Sequence, residues 1–263
     1  MAREDFLEYC GLKKDKKFSG SFSGIDGGDI NAEYWFMGME WSDINDIKDD
    51  YSYVYDKWLK IEEIPDHIDI KINPNKWKLE NKLDVLYHKL MPEFARGKTI
   101  FEKNSNSLKL NLLPLPFLNN DAKTAWNETR LEKTTGFTSF EEYKGKKKNS
   151  YENSILPARQ KLFQNLLQKG KKPKTIFCFG KGYEDEFVWA LTGNKKLKAR
   201  EPAPRLTQKS SNGYLRIEVY DINTSNIKRI LICPFPYSYD QYGNLIYEFT
   251  DNDWQRICNL AKE

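Results

Sequence analysis

Apolar residues in this chain fall into two kinds of run. Short unbroken blocks predict buried strands: one over about 33–39 around Tyr34-Trp-Phe-Met37, one over 174–180 around Ile176-Phe-Cys-Phe179, and one at Arg229-Ile-Leu-Ile-Cys233. A further strand is predicted over 100–113, entering Asn111, and the alternation over 214–221 predicts a half-exposed one. Between them the apolar spacing is helical. Residues 76–92 carry Trp77, Leu79, Leu83, Leu86, Tyr87 and Leu90, closed by Pro92. Residues 155–169 carry Leu156, Leu162, Phe163, Leu166 and Leu167, with Gly170 at the stop. Helices are also predicted over 51–60, over 183–192, over parts of 120–150, and over 250–262 with Asp251 as N-cap. Strands alternating with helices predict an α/β fold, a three-layer α/β/α sandwich around a central, mostly parallel sheet. With no repeat and no long linker, 1–263 reads as a single domain with peripheral insertions.

Three apolar runs end in the same way. Tyr34 to Met37 stops at Gly38, and the acid Glu40 follows; Asn111-Leu-Leu-Pro114-Leu-Pro-Phe117 and Cys233-Pro234-Phe235-Pro236 stiffen the chain with prolines after a strand. Carboxyl ends of parallel strands are where such sheets gather their chemistry.

Composition narrows the class. Hydrophobic residues are 39% of the 263, charged ones 30% and aromatic ones 14%, which predicts a modest core filled by large rings under a charged surface. No apolar run nears the roughly 20 residues of a membrane span, and the first residues lack a signal-peptide core, so a cytoplasmic protein with no membrane partner is expected. Cys10, Cys178, Cys233 and Cys258 are scattered and form no CxxC pair, so they read as reduced thiols in or near the core. His67 and His88 lie outside the three strand-end motifs. The net charge of +4 is small, but basic clusters at Lys13–Lys17, Lys144–Lys148, Lys169–Lys174 and Lys195–Arg200 could meet phosphates.

Taken together, four segments resemble the uracil-DNA glycosylase superfamily, nearest to its single-strand-selective monofunctional and thymine-DNA glycosylase branches. Gly38-Met39-Glu40-Trp41-Ser42 resembles the family's first motif, and Asn111-Leu-Leu-Pro114-Leu115 its central Asn-x-x-Pro-Leu segment. Phe177-Cys-Phe-Gly180-Lys181-Gly-Tyr-Glu184 is similar to a strand ending in Gly and a basic residue before a helix, and Cys233-Pro234-Phe235-Pro236 to the motif His-Pro-Ser-Pro. They occur in family order across residues 34 to about 240.

The resemblance implies a glycosylase acting on a flipped base in single- or double-stranded DNA, as a monomer, with no metal or cofactor. Cleavage of an N-glycosidic bond develops positive charge on the sugar, which a carboxylate can stabilise while it positions water. Glu40 stands at the family's water-positioning place, and Asp43 is the second candidate. Asn111 would read the base edge, with Gly38, Met39, Trp41, Cys233 and Pro234 around it. Trp41, Tyr51 and Tyr53 are candidate stacking platforms. Ser42, Lys181, Pro236, Tyr237, Ser238 and Tyr239 would contact DNA, and the loop Tyr237 to Leu245, with Tyr242, would fill the gap left by the base.

Two departures matter. Cys233 replaces a histidine that donates to the departing base, and a thiol is a poor donor. Glu40 is longer than the usual asparagine and ionisable, and Trp41 replaces a proline. Ordinary uracil excision is therefore not expected. A damaged or modified pyrimidine is, one version being a hypermodified base of invading phage DNA in a defence role. Two rival readings remain: a catalytically silent nucleic-acid binder on the same fold, and a nucleotide hydrolase holding a divalent metal on Glu40 and Asp43.

Overall fold

The computed structural model describes residues 3–10, 25–38, 67–68, 78–102, 104–114, 135–145, 151–194, 196–210, 213–222, 227–240 and 242–263. In chain order its helices are α1 (Arg3–Cys10), α2 (Lys78–Leu90), α3 (Phe140–Lys144), α4 (Leu156–Lys169), α5 (Glu184–Thr192) and α6 (Asp251–Lys262). Its strands are β1 (Ile25–Asp29), β2 (Tyr34–Gly38), β3 (His67–Ile68), β4 (Ser107–Asn111), β5 (Thr175–Phe179), β6 (Arg205–Ser210), β7 (Gly213–Arg216), β8 (Glu218–Asp221), β9 (Arg229–Cys233), β10 (Tyr237–Tyr239) and β11 (Leu245–Glu248).

The fold is mixed α/β. A seven-stranded sheet runs β3-β1-β4-β2-β5-β9-β8, and two hairpins, β6–β7 and β10–β11, stand apart from it. The four central strands β4, β2, β5 and β9 are mutually parallel. The flanking pairings β1–β3, β1–β4 and β8–β9 are antiparallel, so the sheet is mixed rather than mostly parallel. The difference comes from β1. Its sequence, Ile-Asp-Gly-Gly-Asp, has no apolar alternation to announce a strand. It fits beside β4 because Gly28 adopts φ +95°, and a Cβ there would meet the Ser107 carbonyl oxygen at 2.0 Å.

Alternation along the central strands divides the core between the sheet's two faces. Trp35, Met37, Ile176, Cys178, Ile230 and Ile232 join one apolar cluster with Phe6 of α1, Leu162 and Phe163 of α4, and Phe187 of α5. Phe36, Phe177, Phe179, Leu231 and Cys233 join the other with Leu83, Leu86 and Tyr87 of α2 and Trp254 and Ile257 of α6. Phe36 and Phe177 stack at 5.0 Å across neighbouring strands, adding a little to the area they bury.

Several expected elements shift. The strand expected over 100–113 begins only at Ser107, because Phe101, Asn104 and Asn106 take positive φ in the turns before it. The strand expected over 214–221 breaks at Ile217 into β7 and β8. Tyr237 to Leu245, expected as a loop, is most of the β10–β11 hairpin. Gly170 does end α4, but in an extended conformation; a Cβ there would meet the Ile30 carbonyl oxygen at 2.3 Å, so close approach is the reason. The helix expected over 51–60 lies outside the described residues, as do the basic clusters at Lys13–Lys17 and Lys146–Lys148.

Helix α6 is capped by Thr250 rather than Asp251. Thr250 is extended, and its Oγ1 accepts from the Asp253 N–H while the Asp253 carboxylate accepts from the Thr250 N–H, closing a capping box. The fully buried Asp253 also accepts from Thr207 N at 2.6 Å and Thr207 Oγ1 at 2.8 Å, which ties β6 to the start of α6. Burial alone would raise this carboxyl, but the hydrogen bonds from Thr250 and Thr207 outweigh it and hold it below the usual aspartate range.

A depressed carboxyl stabilises the fold above its unfolded-state titration, and that stability is lost as pH falls through the folded one. Asp253→Ala should therefore cost about 2–4 kcal/mol in urea unfolding near pH 7. The gap to the parent protein should narrow near pH 3, and a gap independent of pH would refute the assignment.

Candidate functional site

The register of the parallel strands aligns their ends. Gly38 pairs with Asn111, Met37 with Cys178, and Phe179 with Cys233, so Asn111, Gly38, Phe179 and Cys233 end four adjacent strands in one row. The ladder closes just beyond it, where Leu112 N donates to Gly38 O at 2.8 Å and Gly180 N donates to Cys233 O at 3.0 Å. By alternation all four residues belong to the face that carries Phe36 and Phe177. At the usual strand spacing the row is about 14 Å wide from Asn111 to Cys233. Four segments far apart in sequence thus meet at one edge.

Asn111 is 1% exposed. Its main chain is held by Arg159, a fully buried residue of α4. The guanidinium donates to Asn111 O at 2.7 Å, to Leu112 O at 2.9 Å and to Cys10 O at 2.9 Å, and it lies 4.8 Å from the centroid of Phe163. Cys10 is the last residue of α1, where the helix dipole favours a cation. One side chain therefore locks the end of β4 to the ends of two helices.

Cys233 is fully buried in the apolar cluster, and burial pushes its thiol well up, so it stays neutral and weakly polar. Pro234 and Pro236 are also buried, and Pro236 O accepts from Phe249 N at 2.8 Å, which closes the base of the β10–β11 hairpin. Tyr237 and Ser238 are half-buried and Tyr239 is exposed, with the two tyrosine rings 5.8 Å apart. At the tip, Asp240 accepts from Tyr242 N at 2.9 Å and Asn244 N at 2.8 Å. The Asn244 side-chain amide donates to the same carboxylate at 2.9 Å, and it and these backbone bonds hold the Asp240 carboxyl below the usual range and shape a tight turn. Tyr242 is 80% exposed, and Tyr239, Leu245 and Ile246 are exposed as well, so apolar side chains crowd one small protrusion.

Lys181 follows Gly180 at the same edge, but it is paired with Glu218 of β8. Beside it the Tyr220 hydroxyl donates to Glu184, the first residue of α5. Burial raises the Glu184 carboxyl, the nearby Glu218 and Asp185 charges add to this, and Tyr220 and Lys181 oppose them. Of this group sequence reading assigned a role to Lys181 alone, with Glu184 at the end of the same segment and Tyr220 unread. Glu184 and Tyr220 sit on a helix and an edge strand, and no spacing relates them.

Glu40 and Asp43, with Met39, Trp41, Ser42, Tyr51 and Tyr53, lie outside the described residues; Gly38, two residues before Glu40, is at the centre of the row. His88 is on α2 beside Asp84 at 3.5 Å, and His67 is in the edge strand β3. Among the described residues no group of three or more His, Cys, Asp or Glu is placed to hold a metal ion, and no helix is long and apolar enough to cross a membrane.

Comparison of the chain with protein families, with curated proteins and with solved structures finds no match.

Arg159→Met should destabilise the protein by about 3 kcal/mol, because three main-chain carbonyls lose charge-assisted donors inside the core. Arg159→Lys should recover less than half of this, since an ammonium does not reproduce the planar fork. Urea unfolding of the three proteins measures it; equal stability of all three would show that the clamp contributes nothing.

Proposed function

We propose that this chain is a DNA glycosylase of the uracil-DNA glycosylase type, a cytoplasmic, monomeric three-layer α/β/α domain acting on a flipped, modified pyrimidine. The observation that supports it is the shared row of Gly38, Asn111 and Cys233 at the carboxyl edge of the parallel strands. These residues open three of the segments that carry the family likeness, and β10–β11, with its exposed Tyr239 and Tyr242, leaves the row directly after the third.

In this reaction a water oxygen bonds to the sugar C1′ as the C1′–N1 bond breaks, and the bonding pair leaves with the base. Glu40 accepts the water proton, which it later passes to solvent, and offsets the positive charge developing on the sugar, while the base leaves as an anion that takes its proton from solvent water. Asp43 is the alternative acid. Asn111 reads the base edge with its amide, and its clamped backbone keeps that amide from shifting. The tyrosine hairpin fills the gap in the DNA. Cys233 offers the leaving base no strong donor, so the substrate is one that needs less help than uracil or gains contacts through its substituent.

A catalytically silent binder is the second reading, and the burial of the Cys233 thiol among apolar side chains favours it. Mass spectrometry of bases freed from a panel of modified DNAs separates the two. The enzyme should release an enlarged pyrimidine faster than uracil, and Glu40→Gln should slow release by roughly 100-fold or more while changing DNA affinity little. No base released from any DNA would leave the binder; full turnover by Glu40→Gln would move the role to Asp43.

A further inference from the structure

The β6–β7 hairpin belongs to no motif read from the sequence. Its inner side chains, Leu206 and Leu215, pack against the cluster that also holds Cys233 and Phe179, and the buried Asp253 fastens it through Thr207. Its outer side chains are different in kind. Arg205 pairs with Arg216 across the two strands, and Lys209 pairs with Tyr214. Arg205, Lys209 and Arg216 are all exposed, and among the described residues no ion pair joins any of them to an acid. Lys209 Nζ lies 4.5 Å from the centre of the Tyr214 ring, which is 47% exposed.

Two arginines directly opposite each other on an exposed ladder repel, and such a pair weakens a hairpin unless an anion sits between them. Guanidinium groups favour phosphate because their planar fork matches its oxygens. The position of the hairpin gives the anion a direction. Arg216 stands two residues before Glu218, whose sheet partner Ile232 is the residue before Cys233. The hairpin therefore springs from the same carboxyl edge as the row of Asn111, Gly38 and Cys233. Strand β6 also packs against β11 of the tyrosine hairpin. A cationic ribbon and an apolar, aromatic one leave the edge side by side.

We propose that the outer face of β6–β7, with Arg205, Arg216 and Lys209 beside Tyr214, grips the phosphate backbone of the nucleic acid that the tyrosine hairpin enters. The proposal deepens the reading of the site as one that acts on DNA, but it concerns binding, so it stands or falls separately from base release. Arg205 and Arg216 share one phosphate, Lys209 takes a neighbouring one, and Tyr214 supports the lysine.

The test uses the full chain and a fluorescein-labelled oligonucleotide of about 20 nucleotides, single-stranded and duplex, titrated across salt. Each lost phosphate contact lowers the slope of log affinity against log salt by about one. Arg205→Gln/Arg216→Gln with Lys209→Gln should weaken binding at least about 10-fold at low salt and flatten the slope by about two. Arg205→Lys/Arg216→Lys should keep most of the slope. Lys161→Gln, an exposed lysine on α4, serves as control and should change neither. Unchanged affinity and slope in the triple variant would overturn the proposal even if bases are released normally. A loss of affinity and slope would uphold it even if no base is released. Vesicles containing phosphatidylserine are the third arm; binding to them that needs the arginines, with DNA binding unaffected, would also overturn it.

Discussion

The buried guanidinium of Arg159 is the constraint around which the candidate site is built. A cation with no access to water costs several kcal/mol to bury unless its donors are all used. Here the fork meets carbonyls at the end of β4 and the end of α1, and the face of Phe163 covers it. The cost of burial is thus turned into position. The chain around Asn111 cannot drift without leaving a charge unsolvated, so the end of β4 stays in register with Gly38.

From that fixed edge the molecule extends two ribbons. They differ in what they leave exposed: tyrosines, leucine and isoleucine on β10–β11, arginines and a lysine on β6–β7. Both are anchored by buried groups at their roots, Phe249 N on Pro236 O for one and Thr207 on Asp253 for the other. Rigid roots with exposed tips suit recognition, because the tips can meet a partner without the core reorganising. A row that reads a base, beside ribbons that hold its strand, is the physical content of the proposed glycosylase.

Sequence reading reached the central strands and the long helices because burial there imposes a period. Trp35 and Met37 face one cluster and Tyr34 and Phe36 the other, so β2 had to be apolar throughout. Leu83, Leu86, Tyr87 and Leu90 keep the helical interval because one side of α2 meets the sheet. The misses have equally local causes. Strand β1 has two adjacent glycines where a strand signal belongs, and the N-cap preference ranks Asp251 above its neighbour Thr250, which caps through its reciprocal bonds with Asp253. Strands β6, β10 and β11 were missed because their outward residues are selected for contact with water or a partner, which leaves no apolar alternation to find, whereas the alternation over 214–221 did mark β7 and β8.

What the sequence by itself determined is where three of the central strands end. Gly38, Asn111 and Cys233 each follow an apolar block, and a block of that kind must terminate at the sheet's edge. Tertiary structure alone decided that the three ends lie in one row, that a distant arginine clamps the first of them, and that Arg205 faces Arg216 beside a protruding pair of tyrosines. These links of register, clamping and cross-strand pairing join residues from 11 to 149 positions apart, as Arg205 faces Arg216 and Arg159 joins Cys10. Local spacing along a chain carries no record of such distances.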